Sequence, residues 1–535
     1  MTPWWPEASR KSPGKMKTYL RGPAAASKYS TQTNFAWRKI PSMTTTDVPS
    51  TNMVDRVRSC REAQQSWDKL PVRQRLQPVR ALRHLLVREC DALCGVVERD
   101  IGKPPKHTLA AEILPLAAAC RFLERRAAGL LRPRAVSLWD RPLWLWGEHD
   151  AVLRRPRGVV GIIGTWNFPL LLNGVQIVQA LTAGNGVLWK PSEVAPASAE
   201  RLHQVLLQAG FPETLVQRLP ATRDAGPELA NAEIDHCVFT GSSAVGRVLA
   251  EQLGRRLISS TLELSGCDAL SVLEAGDIGM AARAAWFGAT LNHGQACVAS
   301  RRIFVQRSRY EEFVGSLRPL VAAAGPACLA LAGQVQQAER LIDEAVANGA
   351  RRLDAPRALD SNGAHNVFLP AALLDVRPEM QICRQASFAP VLAVLPFDSE
   401  AEALRMNALC AYGLGAAIFS RDTARAQDLA THLLAGVVAI NDVIVPTAHP
   451  ATPFGGRRES GWGVTQGAEG LLEMAVPQVV SIHRGQARPH YPAPDGTTKV
   501  PAEMLRGLLE WSHAPTLAAR CAGLRRLIKG WWRQN

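Results

Sequence analysis

Arg157-Gly-Val-Val-Gly-Ile-Ile-Gly164 is a short β-branched run ending in glycine, as expected of a strand buried on both faces of a parallel sheet. Working outward from it, an apolar helix is expected at Leu170–Ala183 and a strand at Gly186–Lys190. A helix at Ala197–Ala209, a strand around Val216–Leu219, another helix and the strand His236–Thr240 follow, the last running into Gly241. Strand and helix alternating in this way predict a doubly wound parallel sheet. Upstream, from Asp47 to about Leu131, the chain reads as helices. Val57, Cys60, Ala63, Gln64 and Trp67 form one stripe there, and Leu82, Leu85, Leu86 and Leu93 another. Downstream, a second α/β stretch runs from Ala269 to about Phe454. Its strand candidates are Arg302–Gln306, Pro390–Leu395, Ala416–Ser420 and Gly436–Asn441. Two α/β lobes in one chain predict a ligand cleft between them.

The 535 residues are 47% hydrophobic and 20% charged, the proportions of a soluble globular protein with room for several domains. No run reaches the roughly 18 apolar residues that span a bilayer, and the apolar stretches Ala110–Cys120 and Val159–Leu172 are interrupted. Eleven cysteines, an odd number without paired spacing, argue against a disulfide framework and for a reducing, cytoplasmic setting. None has zinc-ligand spacing, so no metal is expected. The net charge of +15 raises nucleic acid as a partner. However, the first 46 residues hold eight Lys or Arg and one acid, Glu7, so about half the excess is local. No aromatic-basic module accompanies it, and nucleic acid is not expected. Residues 1–47 read as a disordered basic extension, either a faint transit peptide or sequence upstream of a true start at Met43.

Thr240-Gly-Ser-Ser-Ala-Val-Gly246 follows a predicted strand, and a glycine-rich turn before a helix N-terminus attracts phosphate. It lacks GxGxxG spacing, so an ordinary strand-to-helix turn is the rival reading. Cys297, in Asn292-His-Gly-Gln-Ala-Cys-Val298, has a glycine-rich approach that leaves room for a substrate beside a thiolate. Glu263, in Leu262-Glu-Leu-Ser-Gly266, is a single acid in an apolar setting at a probable strand end, where burial is expensive.

These segments combine with Asn167 in Thr165-Trp-Asn-Phe-Pro169, Lys190 in Trp189-Lys-Pro-Ser-Glu193, and Pro453-Phe-Gly-Gly456 followed by Ser460-Gly-Trp-Gly463. In order and approximate spacing the set resembles the aldehyde dehydrogenase superfamily, from about residue 50 to 485. The resemblance implies two doubly wound α/β lobes and a small antiparallel oligomerisation arm. The Rossmann-like cofactor domain would be 48–139 and 156–264, the catalytic domain 265–459 and the arm 140–155 and 460–490. A linker and basic helical tail would take up 491–535. The family forms homodimers or homotetramers, and apolar Trp139–Trp146 suits an arm buried against a partner.

The resemblance also implies roles. An ionised Cys297 would attack an aldehyde, Asn167 and the Cys297 backbone N–H would hold the oxyanion, and Glu263 would activate the hydrolytic water, giving a carboxylic acid. Lys190 and Glu193 would contact the adenosine ribose, favouring NAD with NADP as the alternative. Trp166, Gly241, Ser242 and Gly246 would approach the pyrophosphate, Phe388 would lie by the nicotinamide, and Phe454 would line the substrate pocket. Two positions depart from the family. Gln385-Ala-Ser-Phe-Ala-Pro390 puts Ala386 where a glutamate usually holds the nicotinamide ribose. Gly463-Val-Thr465 replaces Gly-Arg-Glu, whose glutamate helps relay protons in some members. A catalytically weak or silent scaffold is therefore the alternative function. Near the C-terminus Leu517, Cys521, Leu524, Ile528 and Trp531 share one helical face beside Arg520, Arg525, Arg526, Lys529 and Arg533. Peripheral membrane contact and packing on the enzyme body or a partner subunit are its two readings.

Overall fold

The computed structural model describes residues 52–145, 147–354, 366–485, 488, 491 and 500–532. The basic extension expected at 1–47, Trp146, most of the linker Gln486–Asp495 and Arg533 lie outside the described residues, as does the side chain of Trp531.

The run 157–164 does form a central strand, Val159–Ile163. It lies between Gly186–Lys190 and His236–Thr240, parallel to both. The six-stranded sheet runs, edge to edge, Gly461–Trp462, Ser259–Glu263, His236–Thr240, Val159–Ile163, Gly186–Lys190, Val216–Arg218, antiparallel only at its first strand. Side chains alternate as the strand period of two requires. Val160, Ile162, Val187 and Trp189 enter one core with the N-terminal helices, and Val159, Leu188, Cys237 and Phe239 enter another. Helix Leu171–Ala183 is buried on every side, because it runs between this sheet and the helices Val72–Arg88 and Leu114–Leu130. Its lack of any charged residue follows from that position, and its buried Asn173, Gln176 and Gln179 are hydrogen-bonded.

The second sheet has seven strands, in the order Arg351–Asp354, Ala371–Leu374, Val391–Phe397, Ser300–Gln306, Asp268–Val272, Gly415–Phe419, Val437–Ile440. All neighbours are parallel except the first pair. Its two faces bury separate cores, Phe304, Leu373 and Leu395 on one side and Ile303, Leu374 and Val394 on the other.

A three-stranded antiparallel arm completes the architecture. Glu148–Pro156 pairs with Ala475–His483 along its full length and with Arg134–Ala135 on its other edge. Residues 460–474, expected in the arm, sit on the cofactor lobe instead. Gly461–Trp462 extends the six-stranded sheet, and Gly467–Glu473 inserts Leu471 into the core that holds Leu116 and Val175. No helix among the described residues is long and apolar enough to cross a membrane.

Candidate active site

The strand order of the six-stranded sheet reverses at Val159–Ile163 and its neighbour His236–Thr240, where open α/β sheets place ligands beyond the strands' C-terminal ends. The loops leaving these strands, Thr165–Asn167 and Gly241–Ser243, line a cleft of about 420 Å³. Glu263 and Cys297 open onto the same cleft, as do Trp166, Ala386, Phe388, Gln334 and Gln337. Three segments far apart in sequence thus bring an amide, a carboxyl and a thiol to one cavity.

Asn167 is buried and held on every side. Its Nδ2 donates to the Gln295 carbonyl (3.0 Å), its Oδ1 accepts from Thr165 Oγ1 (2.8 Å), and its backbone oxygen accepts from Lys103 Nζ (2.6 Å). Lys103 is in turn buried against Glu112 (2.6 Å), whose other oxygen accepts the Leu170 amide (2.7 Å). A buried ion pair completed by further hydrogen bonds avoids the cost of an unpaired charge, so it anchors the 167–170 turn.

Cys297 follows a loop of unusual backbone. Asn292, His293 and Gly294 all have positive φ, and a Cβ at Gly294 would lie 2.3 Å from the Ala389 carbonyl carbon. Only glycine permits that approach. Buried Arg301 fixes the loop, donating to the carbonyls of Gly294 (3.0 Å) and Ala296 (3.2 Å). The same guanidinium donates to Ser387 Oγ (2.8 Å) and the Ala389 carbonyl (3.2 Å), tying the cysteine loop to the segment that carries Phe388. Phe388 meets Trp166 edge-on across the cleft, with ring centroids 6.2 Å apart.

The electrostatics correct one expectation. Cys297 is half-buried, and burial, followed by the negative charges of Glu263 and Asp268, pushes its thiol up to about 12. The backbone N–H groups of Val298 and Cys297 act the other way but do not prevail. The resting sulfur is therefore protonated, not the expected thiolate, and attack requires a proton acceptor. Burial likewise pushes Glu263 up to about 7, against hydrogen bonds from Thr465, Thr240 and Gln176 that favour its charged form. Thr465 Oγ1 donates to Glu263 Oε1, while Gln176 (3.4 Å) and Thr240 (3.5 Å) reach Oε2.

The remaining expected residues divide. Gly241 and Ser242 line the cleft, and Ser242 caps helix Ser243–Arg255, its Oγ accepting the Val245 amide (3.4 Å). Gly246 does not line it; it packs on Leu264 beside Trp462, so its smallness serves helix-to-strand packing. Lys190 and Glu193 pair at 3.2 Å just past the neighbouring strand, and Arg223 donates to Glu193 at 2.9 Å. Phe454 is buried with Val298 and Leu414 against Cys297. Sequence reasoning missed Arg301, Lys103, Glu112, Gln176 and Thr240. Two successive arginines inside an otherwise apolar strand, Arg301–Arg302, were the one local signal available.

A doubly wound sheet with a helix N-terminus, a cysteine, a glutamate and an asparagine facing one cleft is the arrangement of a nucleotide-dependent oxidoreductase. Within that class, the chain belongs to the aldehyde dehydrogenase family, whose model matches residues 26–480. It is 35% identical over 425 residues to a 4,4′-diapolycopene aldehyde oxidase of Methylomonas sp, covering 78% of this chain and 79% of that protein. It is 32% identical over 438 residues to a putative NADP(+) succinate-semialdehyde dehydrogenase of Mycobacterium ulcerans, covering 79% and 83%. Among solved structures, a Mycobacterium tuberculosis aldehyde dehydrogenase complexed with NAD+ superposes with a TM-score of 0.74 at 29% identity, over 82% of this chain and 92% of that one.

Proposed function

We propose that this chain oxidises an aldehyde to a carboxylic acid with NAD(P)+, through a thiohemiacetal and then a thioester on Cys297. The observation that carries this reading is the convergence of Asn167, Glu263 and Cys297 on one cleft that reaches the N-terminus of helix Ser243–Arg255. Gly241 and Ser242 offer an anion-binding helix start, and the carboxylate of Glu193 suits ribose hydroxyls. Glu193 disfavours a 2′-phosphate, so NAD is preferred. Its ion pair with Arg223 offsets part of that repulsion and leaves NADP usable.

In the first step Cys297 Sγ bonds to the aldehyde carbon and its proton passes to Glu263. A carboxyl near 7 can accept that proton at neutral pH. The negative charge moves to the aldehyde oxygen, where the second Asn167 Nδ2 proton and the Cys297 backbone N–H hold it. One such donor contributes about 10²–10³ in rate. Bound NAD(P)+ supplies the hydride acceptor, and the oxidation leaves an acyl group on Cys297. Glu263 gives up that proton to solvent and then takes one from water, which adds to the thioester carbon; the expelled cysteine sulfur takes a proton back. Thr465 stands where other members carry a relay glutamate, so Glu263 works against a hydroxyl instead of a second acid. The arm supports a homodimer or homotetramer, since Trp139, Trp144, Val479 and Ile482 are exposed on or beside it.

The test is a panel of aldehydes, apolar polyenals and succinate semialdehyde included, offered with NAD and separately with NADP. NADH or NADPH should form, and a Cys297→Ala control should form none. Equal signals from parent and control would refute the reading.

A further inference from the structure

The last two described helices, Ala502–His513 and Leu517–Trp532, pack on each other as an antiparallel hairpin through their smallest residues. A Cβ at Gly507 would meet the Leu527 amide nitrogen at 2.6 Å and the Gly523 carbonyl oxygen at 2.8 Å. One at Gly523 would meet the Trp511 amide nitrogen at 2.5 Å. The backbones therefore touch. Large apolar side chains lie outside: Leu517 is 78% exposed and Trp532 72%, with Ile528 and Cys521 exposed beside them. The helical period puts these four on the side opposite Gly523. Leu505 and Leu509, both exposed, likewise lie opposite Gly507.

Water drives the opposite arrangement, with the largest apolar groups between the helices and small or polar ones outside. Small residues inside and large apolar residues outside is the order found where the surroundings are themselves apolar, because close backbone contact then holds helices together. Charge supplies the second observation. Leu517–Trp532 contains no acid, and by the helical period Arg520 borders the outer stripe on one side, Arg525 and Lys529 on the other. Arg526 is already paired with Glu503 and Glu510 inside the hairpin, whereas Arg525 and Lys529 make no ion pair among the described residues. At 16 residues the helix is about 24 Å long, and neither helix qualifies to cross a bilayer. A narrow apolar stripe flanked by cations, on a helix that cannot span, is suited to the plane of a membrane interface. A second copy of the hairpin would instead bring like charges together.

We propose that this hairpin docks the protein on an anionic lipid surface. Leu517, Ile528 and Trp532 lie among the acyl chains, with Arg520, Arg525 and Lys529 at the headgroups. The proposal is independent of the aldehyde chemistry, since it involves no residue of the cleft.

Co-sedimentation of the full chain with phosphatidylcholine vesicles, with and without phosphatidylglycerol, tests it. The protein should pellet with the anionic vesicles and be released as salt rises. A Leu517→Glu, Ile528→Glu double variant should partition at least about tenfold less. Its unfolding temperature should match the parent's, since both side chains are already exposed. Failure of the parent to pellet, or equal pelleting of parent and variant, would overturn the proposal. So would a solution mass that drops in the variant while neither protein binds vesicles, which would make the stripe a contact between proteins.

Discussion

Glu263 illustrates how much one side chain's surroundings decide. Its carboxyl sits among apolar groups with three hydrogen-bond donors, and the balance leaves it near 7. Below that pH it is protonated and cannot take a proton from water; above it the carboxylate is present. Steady-state turnover should therefore rise with pH through about 7. Thr465→Val removes a donor that stabilises the charged form, so the same limb should move to higher pH in kcat, read from pH–rate profiles of both proteins. An unmoved limb would take Thr465 out of this role. Glu263→Gln should lose both the NADH burst and steady turnover, since the same carboxylate takes the thiol proton before acylation and the water proton after it. Stopped-flow absorbance reads both phases: a burst near one equivalent followed by a stall would confine Glu263 to deacylation, and unchanged steady turnover would remove it from both steps.

The loop 292–297 is held by contacts outside itself. Arg301 joins it to residues 387–389, so the cysteine loop and the segment carrying Phe388 share one anchor. Arg301→Met keeps the volume but removes a donor from four buried acceptors, of which the Ala296 and Ala389 carbonyls keep a backbone N–H from Ala299 and Val391. The expected cost is about 2–4 kcal/mol, seen as a lower unfolding temperature. Displacing Cys297 should reduce kcat by about 10²-fold. Full activity in a destabilised variant would show that the clamp stabilises the fold without positioning the sulfur.

At the level of the whole molecule, the arm is the surface on which the proposed oligomer would form. Val480 and Ile482 lie two apart on one strand, hence on one face, and both are exposed. Aspartate at both positions should lower the mass measured by light scattering to that of a smaller assembly. The lobes have their own cores, so each should still fold. An unchanged mass would place the subunit contact elsewhere.

The strands Val159–Ile163, Gly186–Lys190 and His236–Thr240 were legible because a buried parallel strand leaves a local apolar run. Cys297, Glu263 and Asn167 were legible as members of an ordered set of motifs, each surrounded by its own short pattern. The contact of Thr465 with Glu263 joins residues 202 apart, the Arg301–Ser387 bond spans 86, and Lys103 meets the Asn167 carbonyl across 64. Short-range periodicity records which face of an element is apolar, but not which distant segment will cover it. For that reason the boundaries of the arm, the clamp behind the cysteine and the packing of Gly246 emerged only on folding. The protonated state of Cys297 belongs with them, because burial is a property of neighbours gathered from the whole chain.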